Sequence, residues 1–229
     1  MIARSILANK RIAVSGGFGA LGLATVSRLR EAGALAIAID LAPVPSGWEG
    51  PAFGAIDITD PDVVAHVMQD IQAMGGLDGL VNIAGGFAWQ PVLGGDIDLW
   101  DRMYRVNLQT ALSMSFGAAP LLIASKGAIV NIGAAAAVKA SAGMGAYAAS
   151  KAAVARLTEA LADEFKDVGV RVNAVLPSII DTAANRAEMP DADFSRWVEP
   201  SALADVIAFL LSEDARAVTG ALLPVTGRI

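Results

Sequence analysis

Tyr147 and Lys151 lie four residues apart within Ala146 to Val168, a stretch whose apolar residues recur at helical spacing. The two side chains therefore project from one helix face, a turn apart. A phenol of pKa about 10 is a poor proton donor or acceptor near neutrality. A neighbouring ammonium, added to the charge of an oxidised nicotinamide, favours the phenolate, and the pair can then do general acid–base chemistry without a histidine. The cofactor that such chemistry needs has its own signature. Ser15-Gly16-Gly17-Phe18-Gly19-Ala20-Leu21-Gly22 joins an apolar run to a helical pattern. Glycines there let the backbone turn tightly and approach a pyrophosphate, whose charge rests against the free N–H groups of the helix start. The next apolar run ends in Asp40, close to the separation at which an acid accepts hydrogen bonds from an adenosine ribose. A carboxylate repels a 2′-phosphate, and the following Leu41 and Ala42 offer no guanidinium, so NAD(H) is expected rather than NADP(H).

Three further groups of residues fit the same picture. Asp57, with Ile58 and Thr59, follows a third strand and is either a partner for the adenine edge or the N-cap of a helix beginning near Pro61. Asn82, Ala84, Gly85 and Gly86 end the fourth strand, where small residues let the backbone pass close to a cofactor. Pro177, Ile180 and Thr182 follow the sixth; the threonine bonds a nicotinamide carboxamide or caps a short helix. The chain has no cysteine and a single histidine, His66, which leaves no thiolate site and no histidine cluster, so no metal is expected.

The elements that must hold these residues can be read from periodicity. Arg11 to Ser15, Leu35 to Asp40, Leu80 to Ile83, Ala128 to Ile132, Val170 to Val175 and Ala221 to Val225 are short, nearly continuous apolar runs. Between them Ala20 to Ala32, Pro61 to Met74, Asp98 to Ser125, Ala146 to Val168 and Pro200 to Ser212 have helical period. The alternation predicts an α/β fold: a Rossmann-type, doubly wound parallel sheet of about seven strands with helices on both faces. One domain over residues 1–229 is expected. Pro43 to Pro51 is expected to be a surface loop, and Ser178 to Glu199 a lid past the carboxyl end of a strand, where ligands bind in such sheets.

At 55% apolar residues and a mean hydropathy of +0.53 a membrane span has to be considered. The most apolar stretches, such as Phe116 to Ala124 and Ala128 to Val138, are interrupted and fall short of the ~20 residues a bilayer requires. Met1 to Arg11 shows no apolar run of signal-peptide length, so a cytoplasmic protein is expected. A net charge of −6 without a basic run makes nucleic acid and anionic membranes poor partners; a small molecule is expected instead.

Taken together, the Gly-rich turn, Asn82-Ile83-Ala84-Gly85, Asn107, Tyr147-Ala148-Ala149-Ser150-Lys151 and Pro177 with Thr182 resemble the short-chain dehydrogenase/reductase family, over essentially the whole chain. The resemblance implies that Tyr147 gives or takes the substrate proton, that Lys151 binds the nicotinamide ribose and lowers the tyrosine pKa, and that Asn107 supports a water-linked proton relay. One departure is large. The family usually has a serine thirteen residues before the tyrosine, holding the substrate carbonyl, and here that residue is Ala134. Losing a donor aimed at a developing oxyanion costs roughly 2.7–4 kcal/mol. Ser141 is the nearest candidate substitute. Ala20 and Ser178 also replace residues that are commonly glycine.

Within the family, Ala84-Gly85-Gly86 followed by an aromatic, the serine-less Ala134 loop, Gly143-Met144, Asp181-Thr182, Asn185-Arg186 and Met189 to Trp197 resemble the dihydropteridine reductase branch. That resemblance implies NADH-dependent reduction of quinonoid dihydropterin, a flat and already polarised ring that needs no hydroxyl to hold it. Phe87, Trp89, Ala134, Met144 and Trp197 are the substrate contacts it implies, with Phe87 where tryptophan is usual. Two other functions stay open: a short-chain alcohol or ketone oxidoreductase without the serine, and a non-catalytic NAD-binding protein. The apolar helices Asp98 to Ser125 and Ala146 to Val168 predict a homodimer or homotetramer.

Overall fold

The computed structural model describes residues 5–229; the part of the N-terminal reading that concerns Met1 to Arg4 lies outside the described residues. Seven strands form one parallel sheet in the order β3-β2-β1-β4-β5-β6-β7. They are β1 (Arg11–Ser15), β2 (Leu35–Ile39), β3 (Ala52–Phe53), β4 (Gly79–Asn82), β5 (Ala128–Ile132), β6 (Arg171–Pro177) and β7 (Leu222–Val225). The chain starts in the middle at β1, moves outward through β2 and β3, then crosses back to β4. The topological switch point therefore falls between β1 and β4, where parallel sheets open a crevice at the carboxyl ends of their strands.

Strand side chains alternate between two separate cores. Ile12 and Val14 of β1, Ala36 and Ala38 of β2 and Val130 of β5 join Val26, Leu29, Leu203 and Ile207, which come from α1 (Ala20–Glu31) and α7 (Pro200–Leu211). Ala13, Ile37, Ile39 and Ile129 face the other way. They pack on Val64 and Met68 of α2 (Pro61–Ala73), Met114 and Leu122 of α4 (Thr110–Ser125) and Leu161 of α5 (Gly145–Phe165). Both sheet faces being buried explains why the strands read as unbroken apolar runs.

Asp40 lies just past the end of β2, and Val170 just before β6. β3 has only two residues, paired to Ala38 and Ile39, too short to leave a periodic trace. The expected helix Asp98 to Ser125 is three pieces: α3 (Asp98–Tyr104), a π-helical turn at Arg105–Gln109, and α4. By length and composition alone the 28-residue composite is apolar enough to cross a membrane, a test that a packed helix of a folded domain also passes. Here it packs on α2 and α5 and carries the buried Asn107. The expected lid holds a short helix, α6 (Ala183–Glu188), and a bridge from Ile180 to Val198 that ties its two ends together.

Candidate active site

The switch point carries the first of two adjoining cavities, of about 750 Å³. Gly16, at φ +69°, turns the chain out of β1; a Cβ there would meet the Ala84 backbone nitrogen at 2.8 Å, so only glycine lets the turn lie this close to the end of β4. The helix that follows starts bare: α1 has no side-chain cap and no acidic residue in its first turn. Its first-turn N–H groups have no partner within the helix and form a ready seat for an anion. Ala20, in place of the usual glycine, starts that helix without strain. These features fit a dinucleotide pyrophosphate.

Asp40 closes the far side. One carboxylate oxygen accepts the Phe18 N–H at 2.9 Å and the other the Ala42 N–H at 3.0 Å, so the acid fixes the glycine-rich turn and its own loop together. Phe18 is held from above as well, edge-on to Trp48 of the Pro43–Pro51 loop with ring centroids 4.9 Å apart. Asp57 accepts the Thr59 hydroxyl at 2.6 Å and its N–H at 3.0 Å, and Arg105 approaches both residues. Those bonds hold the Asp57 carboxyl below the ordinary aspartate value, Thr59 first and Arg105 second. Asp57 does not cap α2; Asp60 does, accepting from Asp62 and Val63. Of the residues expected to bind the cofactor, the structure brings Gly16, Phe18, Gly19, Ala20, Leu21, Asp40, Leu41, Asp57, Ile58, Ala84, Gly85 and Thr182 together around this cavity. Arg105 lines it too and was not anticipated.

Leu21, Ile83 and Gly85 also form a common wall with the second cavity, of about 630 Å³. Tyr147 and Lys151 enter it from the first turns of α5, together with Phe87, Trp89, Met144, Pro177 and Ile180. The Tyr147 ring meets Phe87 edge-on at 5.0 Å. Lys151 is buried and donates from Nζ to the Ile132 carbonyl at 2.8 Å, at the end of β5. Burial pushes the Tyr147 phenol up to about 12 and the Lys151 ammonium down to about 8. Removal from water disfavours both charges, and Lys151 directs its ammonium at a carbonyl.

Four predicted residues line neither cavity. Asn82 turns inward, donating to Asn131 at 2.9 Å and Ser115 at 3.2 Å; Asn131 in turn donates to Thr158 at 2.9 Å. This buried polar string ties the ends of β4 and β5 to the helices behind them, so Asn82 does not reach the cofactor cleft with its side chain. Asn107, in the π turn, accepts the Gly86 N–H and donates to the Gly86 carbonyl and to the Ser150 hydroxyl, each at 3.0 Å. Its side chain makes no hydrogen bond to Tyr147 or Lys151 and holds the Gly85–Gly86 turn instead. Ala134 is buried behind Gly133. Trp197 is buried against Phe194, 4.8 Å away, and is a packing residue of the lid rather than a cavity wall. Thr182 does reach the cleft, but its hydroxyl caps α6 by accepting from Asn185.

Ser141 is exposed and does not line the cavity, so it does not replace the missing serine. The serine that does line it, Ser178, donates its hydroxyl to the Thr226 carbonyl at 2.8 Å. Asn185, Glu188 and Met189 of the lid complete the wall. The segment around them stands out in the sequence, but which of its side chains turn inward depends on the Ile180–Val198 bridge, which has no local signal.

Residues 19–227 match a family described as Enoyl-(Acyl carrier protein) reductase. Among curated proteins the chain is similar to 2-(S)-hydroxypropyl-CoM dehydrogenase 3 of Xanthobacter autotrophicus, 33% identical with 96% of each chain covered. It is also similar to the 4-formylbenzenesulfonate dehydrogenase of Comamonas testosteroni, 36% identical over 96% of this chain and 97% of the relative. Among solved structures, the aldohexose dehydrogenase of Thermoplasma acidophilum superposes with a TM-score of 0.89 at 28% identity, covering 98% of this chain and 95% of that one. A cleft at the switch point, a tyrosine and lysine one turn apart beside it, and relatives matched along nearly their full length lead to one assignment: the chain belongs to the short-chain dehydrogenase/reductase family, oxidoreductases that use NAD or NADP.

Proposed function

We propose that the protein is an NADH-dependent reductase of flat, conjugated substrates, with quinonoid dihydropterin as the first candidate and Tyr147 as the proton donor. The observation that carries this reading is the makeup of the second cavity. Its wall is mostly apolar, and among the described residues Tyr147 is the one hydroxyl in it not already donating to the backbone. A substrate that must have its oxygen held by a second hydroxyl finds none; a ring stacked between apolar walls has no such need.

When bound, the nicotinamide supplies the hydride. Burial, which pushes the Tyr147 phenol up to about 12, leaves it protonated near neutrality, so the proton is there to give in the direction of reduction, and positive charge brought beside it must lower that pKa for the transfer. Lys151 adds positive charge beneath the cofactor cleft and, as the family resemblance implies, meets the nicotinamide ribose. Asn107 acts as a positioning residue through Gly86 and Ser150. NADH is favoured over NADPH because Asp40 lines the adenosine end, and Arg105, the guanidinium in that cleft, is already bonded to Asp57 and Thr59. Exposed Trp100, Tyr104 and Phe116 along α3 and α4 support assembly as a dimer or tetramer, and cytoplasmic residence remains part of this reading.

A second reading, an alcohol or aldehyde oxidoreductase, is favoured by the names of the relatives, which are dehydrogenases. One assay separates the two. NADH oxidation is measured with quinonoid dihydropterin and with simple ketones. Turnover of the pterin, lowered about 10²–10⁴-fold by Tyr147→Phe, is the expected result. No rate above the uncatalysed one removes the pterin assignment, and turnover of ketones alone moves the reading to the second.

A further inference from the structure

We propose that Glu188 makes the second cavity prefer cationic or neutral substrates over anionic ones. The inference rests on the reading that this cavity holds the substrate, and it adds the charge class of that substrate.

Three ionisable groups line the cavity: Tyr147, Lys151 and Glu188. Lys151 is buried and committed to the Ile132 carbonyl, and Tyr147 is held neutral by burial. Glu188 is therefore the fixed charge a substrate meets at the lip. It is exposed and makes no hydrogen bond or ion pair among the described residues, and the nearest basic residue in its helix, Arg186, is taken by Asp181 through two hydrogen bonds and covers Phe194. Glu188 is also the last residue of α6, where the carbonyl ends of a helix disfavour a carboxylate. A residue that breaks a local rule with no compensating contact in the fold is better explained by the site than by stability. Asn185, one turn earlier on the same wall, donates to the Ile180 carbonyl at 2.7 Å and so holds the start of the helix against the cavity while Glu188 stays free.

The test uses binding, so that it does not depend on turnover. Calorimetry on the intact protein, with and without saturating NADH, compares acetophenones carrying 4-trimethylammonio, 4-methyl and 4-carboxy groups. The cation is expected to bind about 5- to 20-fold more tightly than the carboxylate, the sum of one attraction and one repulsion at an exposed site. Glu188→Gln should level the series and Glu188→Lys should reverse it, while Asp191→Asn, on the same segment but outside the cavity, leaves the order unchanged. A carboxylate that binds wild type as tightly as the cation overturns the proposal, as does an order that Glu188→Gln leaves intact. If none of the three binds, both the proposal and the substrate reading of the cavity fall. If the order holds but Tyr147→Phe leaves turnover of quinonoid dihydropterin unchanged, only the proton-donor reading fails.

Discussion

The two cavities share a wall yet are built by opposite means. The first is made of backbone: a glycine turn, a bare helix start, and acids whose partners lie on the same or the neighbouring strand end, as with Asp40 on Phe18 and Asp57 on Thr59. The second is made of side chains drawn from distant segments, Phe87 and Trp89 after β4, Met144 before α5, and Ile180 to Met189 from the lid. Parallel-sheet topology dictates the first, because any chain wound this way opens a crevice there. Nothing in the topology dictates the second, so it is free to vary with the substrate. Cofactor chemistry is consequently common to the family, and specificity belongs to each chain.

The sharpest way to break this division is at Lys151, which lines the second cavity and lies against Gly85 of the common wall. Lys151→Met should abolish activity, yet it should stabilise the protein at pH 7. The folded pKa of about 8 lies below the ordinary 10.5, so keeping the buried ammonium charged costs roughly 3 kcal/mol at any pH below 8. As pH rises from 8 toward 10.5 the unfolded chain holds the proton that the folded protein has lost, and wild type gains that stability back. Urea unfolding at pH 7 and at pH 9.5 should show the advantage of Lys151→Met shrinking; an advantage constant with pH contradicts it. Above pH 10 Tyr147 acts in the other sense, because its folded pKa of about 12 exceeds the ordinary 10.0.

A smaller effect should follow from Asp40→Ala, confined to the first cavity. Loss of charge-assisted bonds should lower kcat/KM for NADH by about 10- to 100-fold and narrow its lead over NADPH, with kcat at saturating NADH little changed. An equal loss for both cofactors would show that Asp40 only braces the turn. Smallest should be Trp48→Ala. The ring braces Phe18 and receives Arg30 5.1 Å above it, so its loss should raise the NADH Kd about 2- to 5-fold without altering the binding order of the acetophenone series. A changed order would mean that the two cavities are not independent.

The same division decides what the sequence reveals. Gly16, Asp40, Tyr147 and Lys151 are legible because each stands at a strand end or on a helix face whose geometry is local. The polar string from Asn82 through Asn131 to Thr158 is not, since it joins residues up to 49 apart at each step; Asn82 therefore reads as a cofactor contact although its side chain faces the core. Trp197 reads as a substrate contact for a similar reason, its burial depending on Phe194 and on the bridge behind it. Glu188 leaves no mark beyond an acid in a mixed segment. The π turn at Arg105–Gln109 is invisible because α4 after it is apolar nearly all round and has no polar face whose phase would show the shift.

That turn also bears on how the molecule can change over generations. A π turn holds one residue more than a regular helix of the same span, in effect an insertion retained within the helix. Deleting a residue there would restore an ordinary ladder from Asp98 to Ser125 and improve the local hydrogen bonding. It would also rotate α3 against α4 by about 100°, carrying Asn107 away from Gly86 and Ser150. Repair of the helix and retention of the site are therefore alternatives.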